Sequence, residues 1–164
     1  MSQYCVAVLF LATLFVPSVR SSTQAATIAP QNRATIRRII ELINVERAAA
    51  DLPALTIHPL LMAEAQRFSG VLAIVGTVSH RGNDGTNAGQ RLTRVGYKWR
   101  YFGENLAAGQ ITADKVVTAW MKSPSHRAIV LSPKATHVGI GHTSRPSDPR
   151  QYVDYYVMEA GRPR

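Results

Sequence analysis

The branched residues Ile36, Ile39, Ile40 and Ile43 recur at i, i+3, i+4 and i+7, the spacing of one buried face of an α-helix. This helix is expected to run from about Arg33 to Ala50 and to end at Asp51-Leu52-Pro53, because proline disfavours helical geometry at the residue before it. A second helix is predicted from His58 or Pro59, where proline suits a first turn, with Leu61, Ala65, Phe68 and Leu72 down one side and Gly76 as its stop. The stretch Arg81-Gly82-Asn83-Asp84-Gly85-Thr86 is dense in turn formers. After it, Thr86 or Asn87 can cap a short helix holding Leu92 and Val95 that Gly96 closes. A third substantial helix is predicted from Thr112 to Met121, burying Ala113, Val116, Val117 and Trp120, with Asp114 placed well in its first turn.

Beyond that helix the period falls to two. Val138, Ile140 and His142 alternate with His137, Gly139 and Gly141, and Tyr152 to Glu159 is a second β-prone run, so two antiparallel strands are expected around a polar turn at residues 143–150. Parity puts His137 and His142 on opposite faces of the first strand, so they are not ligands of one site; both are expected at the surface. Helices followed by strands imply an α+β domain whose sheet is covered by helices.

An apolar run of another kind lies at the amino terminus, from about Tyr4 to Val16, followed by Pro17 and the small residues Ser22, Ala25 and Ala26. It is shorter than the roughly 20 residues of a spanning helix and reads as a secretory signal peptide over residues 1–26. No Lys or Arg precedes the run, and a short uncleaved anchor is the alternative. Residues 27–32 are then a flexible lead-in and 33–164 a single domain, the number a chain of 164 residues favours. The sole cysteine, Cys5, falls inside the leader, so no disulfide staples the mature domain.

Nineteen Lys and Arg against ten Asp and Glu leave a formal charge of +9, a field that favours anionic partners such as acidic envelope polymers, phospholipid surfaces or nucleic acid. Tyr97, Trp99 and Tyr101 interleave with Lys98 and Arg100 in the manner of a nucleic-acid stacking stripe. Period-two aromatics beside a glycine turn are nonetheless the pattern of an ordinary strand, and nucleic acid is not the partner expected.

The candidate chemistry is confined to few groups. His80 and His126 stand in Ser-, Gly- and Pro-rich segments just outside the predicted helices, where a scaffold places functional side chains. Glu104 sits in Tyr101-Phe102-Gly103-Glu104-Asn105-Leu106-Ala107, apolar on both sides, and an acid embedded there needs a partner or a raised pKa. Two imidazoles and a carboxylate can hold a divalent metal with an open position or polarise a water. Each can equally be a structural hydrogen-bonder. Ser123 and Ser125 beside His126 lack the nucleophile-elbow pattern, and Ser-Pro reads as helix termination.

Asn44-x-x-Arg47, Leu52-Pro53-x-Leu55, Ser79-His80 with Asp84-Gly85, Arg91, Gly96-Tyr97, Gly103-Glu104-Asn105-Leu106-Ala107, Trp120-Met121-x-Ser123-Pro124-x-His126-Arg127 and Val138-Gly139-Ile140-Gly141 follow in order and spacing. Together they resemble the bacterial branch of the CAP (SCP/PR-1-like) superfamily across nearly all of Arg33 to Gly161. The resemblance implies a three-layer α/β/α sandwich with a central antiparallel sheet, secretion or a periplasmic location, and a central cleft. In many relatives that cleft carries two histidines and two glutamates able to bind zinc or another divalent ion. His80 and His126 match the histidines and Glu104 matches one glutamate; where the second would follow the tryptophan, this chain reads Trp120-Met121-Lys122-Ser123. Lys122 beside the site argues for weak cation binding.

The function expected is a binding domain whose cleft takes a metal ion, a small apolar or lipid-like ligand, or a peptide. A hydrolase using the same residues, or an envelope protein acting through charge, are the alternatives. The leader reading predicts that secreted material begins between Arg20 and Thr27, measurable by intact mass; a secreted chain still carrying Met1 contradicts it.

Overall fold

A computed structural model describes residues 30–164, so the leader reading and most of the lead-in lie outside the described residues. The elements follow as α1 (Pro30–Ala48), β1 (Thr56–Ile57), α2 (Pro59–Val75), α3 (Ala88–Arg94), β2 (Trp99–Ala108), α4 (Ala113–Lys122), α5 (Pro124–Val130), β3 (His137–Ser144) and β4 (Asp154–Pro163). Among the described residues no helix is long and apolar enough to cross a membrane.

The four strands form one sheet in the order β1-β3-β4-β2, with β1 parallel to β3 and the other pairs antiparallel. Side chains of alternate parity feed two cores. Val138, Ile140, Tyr156, Met158 and Ala160 pack with Ile36, Ile39, Ile40 and Ile43 of α1 and with Val116, Val117 and Trp120 of α4. Tyr155, Val157 and Leu106 pack on the other face with Ala65, Phe68 and Leu72 of α2. The result is the α/β/α sandwich.

Local chemistry fixes the ends of the elements. Gly76 closes α2 at φ 71°, the left-handed conformation in which glycine carries no Cβ penalty. Asn87 and Gln90 form a reciprocal capping box on α3. Ser123 ends α4 and caps α5, whose first residue is Pro124. The expected Ser-Pro stop therefore opens a further short helix, and His126 stands inside α5 and not outside a helix. β4 begins at Asp154, later than the β-prone run that opens at Tyr152, because Gln151 and Val153 both adopt φ 61° and turn the chain there.

The motif residues of α1 act as staples. Asn44 Nδ2 donates to the Leu55 carbonyl at 3.2 Å and its Oδ1 accepts from the Leu55 amide at 2.8 Å. The Arg47 guanidinium, buried near the end of α1, donates to the carbonyls of Pro53, Val130 and Ser132, each at 2.9 Å. Burial lowers its pKa.

His142 is a correction: it is buried, with 5% of its surface exposed. Its ring stacks on Tyr156 at 4.4 Å and its Nε2 lies 2.8 Å from Asp154 Oδ1 on the adjacent strand. The stacked Tyr156 ring covers its face and Asp154 engages Nε2, while Nδ1 is buried without a hydrogen-bond partner. His137, half-buried, packs with His58 at 5.0 Å between ring centroids and reaches the Tyr97 hydroxyl at 3.1 Å.

Gly139 and Gly141 of β3 allow the closest approach in the fold. A Cβ at Gly139 would lie 2.1 Å from the Leu61 carbonyl carbon, and one at Gly141 2.0 Å from the Ala65 carbonyl oxygen, both in the backbone of α2. Gly139→Ala is therefore expected to cost about 3 kcal/mol or more, the severe end of overpacking, since helix backbone and not a mobile side chain must yield. Urea unfolding of parent and variant measures it.

Candidate functional site

Glu104 lies on β2, an edge strand, with its side chain on the face covered by α2. Its carboxylate is almost wholly buried, and both oxygens are engaged. Oε1 is 2.7 Å from Nδ1 of His80, and Oε2 accepts from Nη2 of Arg91 in a very short contact. His80 reaches it from the loop between α2 and α3, and its side chain remains 62% exposed. With Nδ1 turned to the carboxylate, Nε2 faces outward. The acid expected to need a partner has two.

Arg91 is the centre of a larger network. Its guanidinium is 1% exposed, lies 3.6 Å over the Phe68 ring, and donates to the carbonyls of His80 at 3.1 Å and Thr86 at 3.0 Å. Its Nε lies 3.2 Å from Glu64 Oε1, and its Nη2 3.9 Å from Glu159 Oε1. Glu64 is also gripped from outside by Arg67, at 2.8 and 2.7 Å. One guanidinium thus faces three buried carboxyl groups. Burial first, then Glu104 beside it, push the pKa of Glu159 well above the ordinary carboxylate range. A neutral Glu159 can donate a hydrogen bond to Glu104, which leaves Arg91 to balance Glu104 and, with Arg67, Glu64.

Sequence reasoning missed Glu64 and Glu159 and gave Arg91 no role. The signal was present: Glu64 stands at i+3 from Leu61 within an apolar helical stripe, and Glu159 is the one acid in the run 155–161 that is buried on both faces. A charge on such a face must be paired.

His126 approaches from the opposite layer. α5 packs against the other side of β2, where Asn105 Nδ2 donates to the His126 carbonyl at 2.9 Å. Burial and the neighbouring His80 imidazole lower the pKa of His126, so it stays neutral to lower pH than a free imidazole. The sheet edge is where residues of both layers meet. Among the described residues, no three His, Cys, Asp or Glu side chains form a group that holds a metal. Ser123 and Ser125 lie 3.3 Å apart, Oγ to Oγ. A hollow of about 390 Å³ lies along α4 and α5, lined by Met121, Lys122, Pro124, Arg127, Ala128 and Leu131; His126 is not part of its lining.

This arrangement can be set beside known proteins. The family model described as CAP, cysteine-rich secretory protein family, matches residues 40–159, from within α1 into β4, and includes both histidines and Glu104. The chain belongs to the CAP family. A relative in Bacillus subtilis (strain 168), described as uncharacterized protein YkwD, is 32% identical over 127 residues, covering 77% of this chain and 49% of its own length. This CAP chain thus spans about half of that relative. An outer surface protein of Borrelia burgdorferi shares the fold with a TM-score of 0.74 at 23% identity, over 81% of this chain and 96% of that one. An extracellular protein of Bacillus anthracis str. Ames containing an SCP domain gives a TM-score of 0.71 at 22% identity, over 84% and 45%. The sandwich is the family fold.

Two substitutions test the network. Arg91→Met leaves Glu104 buried without its guanidinium and Glu64 with Arg67 alone, and is expected to cost about 3–5 kcal/mol in urea unfolding. Glu159→Gln keeps the shape and the neutral state, and is expected to cost under about 1 kcal/mol at pH 7. The folded chain keeps the Glu159 proton above the pH at which the unfolded chain releases it, so this group lowers stability as pH rises. The glutamine variant removes that slope, and its stability should fall less than the parent's between about pH 5 and 7.

Proposed function

We propose that this protein is an extracellular CAP domain that binds a ligand without turning it over, through the His80 and His126 imidazoles at the β2 edge. The observation that carries the reading is the double engagement of Glu104. A carboxylate held on one oxygen by a buried guanidinium and on the other by an imidazole is a poor general base. It is well placed to orient His80 and to fix its tautomer, the role carboxylates play behind metal-bound histidines.

A divalent cation such as zinc, placed between the outward Nε2 of His80 and the ring of His126, would have two imidazoles as ligands and Glu104 behind one of them. Two protein ligands hold a cation weakly, and Lys122, four residues before His126 in the chain, adds no attraction. The separate hollow along α4 and α5 combines apolar residues with Lys122 and Arg127, which supports a small amphipathic or peptide ligand bearing a carboxylate there. The extracellular setting rests on the leader-like amino terminus and on the extracellular SCP protein that shares this fold.

Calorimetric zinc titration of the parent, His80→Ala and His126→Ala, with thermal melts alongside, is the test. The parent should bind weakly, and more weakly in acid as the imidazoles protonate. Both variants should lose the binding yet melt within a few degrees of the parent, because His80 is exposed and the Asn105 bond goes to the His126 backbone. Variants that melt much earlier and bind zinc as the parent does would make the histidines structural.

A further inference from the structure

Seven large apolar side chains are exposed among the described residues, and five of them, Ile74, Val75, Val78, Ile111 and Tyr152, gather at one end of the domain. The β3–β4 loop joins the three segments that carry them. Arg145 of that loop donates to the carbonyls of Ala73 and Ile74 at 2.7 and 2.9 Å. Tyr152 packs on Gly109, where a Cβ would lie 3.3 Å from its ring, two residues before Ile111. Ile74 and Ile111 are the most exposed of all, at 77% and 70%.

The loop is held rigid and under strain. Buried Asp148 accepts from the amides of Arg150, Tyr152 and Val153 and from the Tyr155 hydroxyl, at 3.0, 3.0, 3.2 and 2.7 Å. Gln151 and Val153, on either side of Tyr152, both sit at φ 61°. For a β-branched residue that conformation is costly and persists only where its surroundings over-determine it. Its effect is to present Tyr152 outward, 42% exposed.

We propose that this end of the domain docks on an anionic phospholipid surface, with Ile74, Ile111 and Tyr152 entering the interfacial region. Charge and shape select this partner. Arg145 neutralises the negative C-terminal end of α2, which would otherwise repel headgroups, and exposed Arg150 adds a cation in the same loop. A soluble polyanion has no use for exposed isoleucines, and a rigid protein partner suits side chains on one continuous face better than on a helix end and two loops. A fluid interface conforms to them, and tyrosine is at home at its headgroup level. The surface shares no residue with the His80 and His126 site, so the two readings stand or fall separately.

The test is sedimentation of the secreted protein with vesicles of phosphatidylglycerol and phosphatidylcholine, and with phosphatidylcholine alone. The parent is compared with the pair Ile111→Ser/Tyr152→Ser and with the control pair Val45→Ser/Ile57→Ser, the two exposed apolar positions left over. All three carry the same amino terminus, so any contribution from it cancels. The first pair should lose about tenfold or more in partitioning to the anionic vesicles, with an unchanged melting temperature, and the control pair should match the parent. Tyr152→Trp should show emission quenched by brominated acyl chains. Parental partitioning by the first pair, an equal loss in the control pair, or an unquenched Trp at 152 overturns the proposal. So does self-association of the parent that the first pair abolishes, which would make the patch an interface between copies.

Discussion

Because Gly139 and Gly141 present hydrogen where other residues present Cβ, the backbone of α2 lies directly on β3, with no side chain between helix and strand. That spacing decides what happens one turn further along the helix. Gly139 pairs with Glu159 on β4, and Glu159 with Glu104 on β2, so a single row crosses the sheet from the helix contact to the edge. Glu64 stands three residues past Leu61 on the helix face that this contact presses down. A helix held off by an ordinary side chain would carry Glu64 away from Arg91, and the guanidinium would lose one of its counter-charges.

The network is costly by the usual measure, since well-packed apolar residues could fill the same volume with equal or greater stability. What it supplies is position. Arg91 binds the backbone carbonyl of His80 as well as the Glu104 carboxylate that meets the His80 ring. The loop and the ring are therefore fixed by the same two buried groups. An exposed histidine on a turn-rich loop is otherwise free to adopt several rotamers; here its inner nitrogen is committed. His126 needs no such arrangement, because it rides on a helix tied by its own backbone to Asn105.

How much of this was legible in the sequence depended on whether one face of an element is polar. α1, α2 and α4 show their apolar stripes, and their lengths and ends came within a few residues of expectation. β2 did not announce itself as a ten-residue strand, because Glu104 and Asn105 interrupt its apolar run while being buried on opposite faces. β1, two residues long, has no period to detect, and α5 hid behind a proline that serves as its first residue and not as a stop. His142 was misplaced because parity assigns a face without saying what covers it. The separate match of His80, Glu104 and His126 to a family pattern named the candidate site residues. It did not reveal that Glu104 is spoken for, since that depends on Arg91 arriving from α3 and on Glu159 standing opposite it on the adjacent strand β4.

Arg47 ties the end of α1 to carbonyls 83 and 85 residues further along the chain. In a domain of this size such long-range ties are commonly covalent, and Cys5, the sole cysteine, lies outside the described domain. A guanidinium cross-link has no reduction potential. The folded domain is thereby indifferent to the thiol–disulfide balance of its surroundings, and needs neither an oxidising compartment nor an isomerase to close that loop.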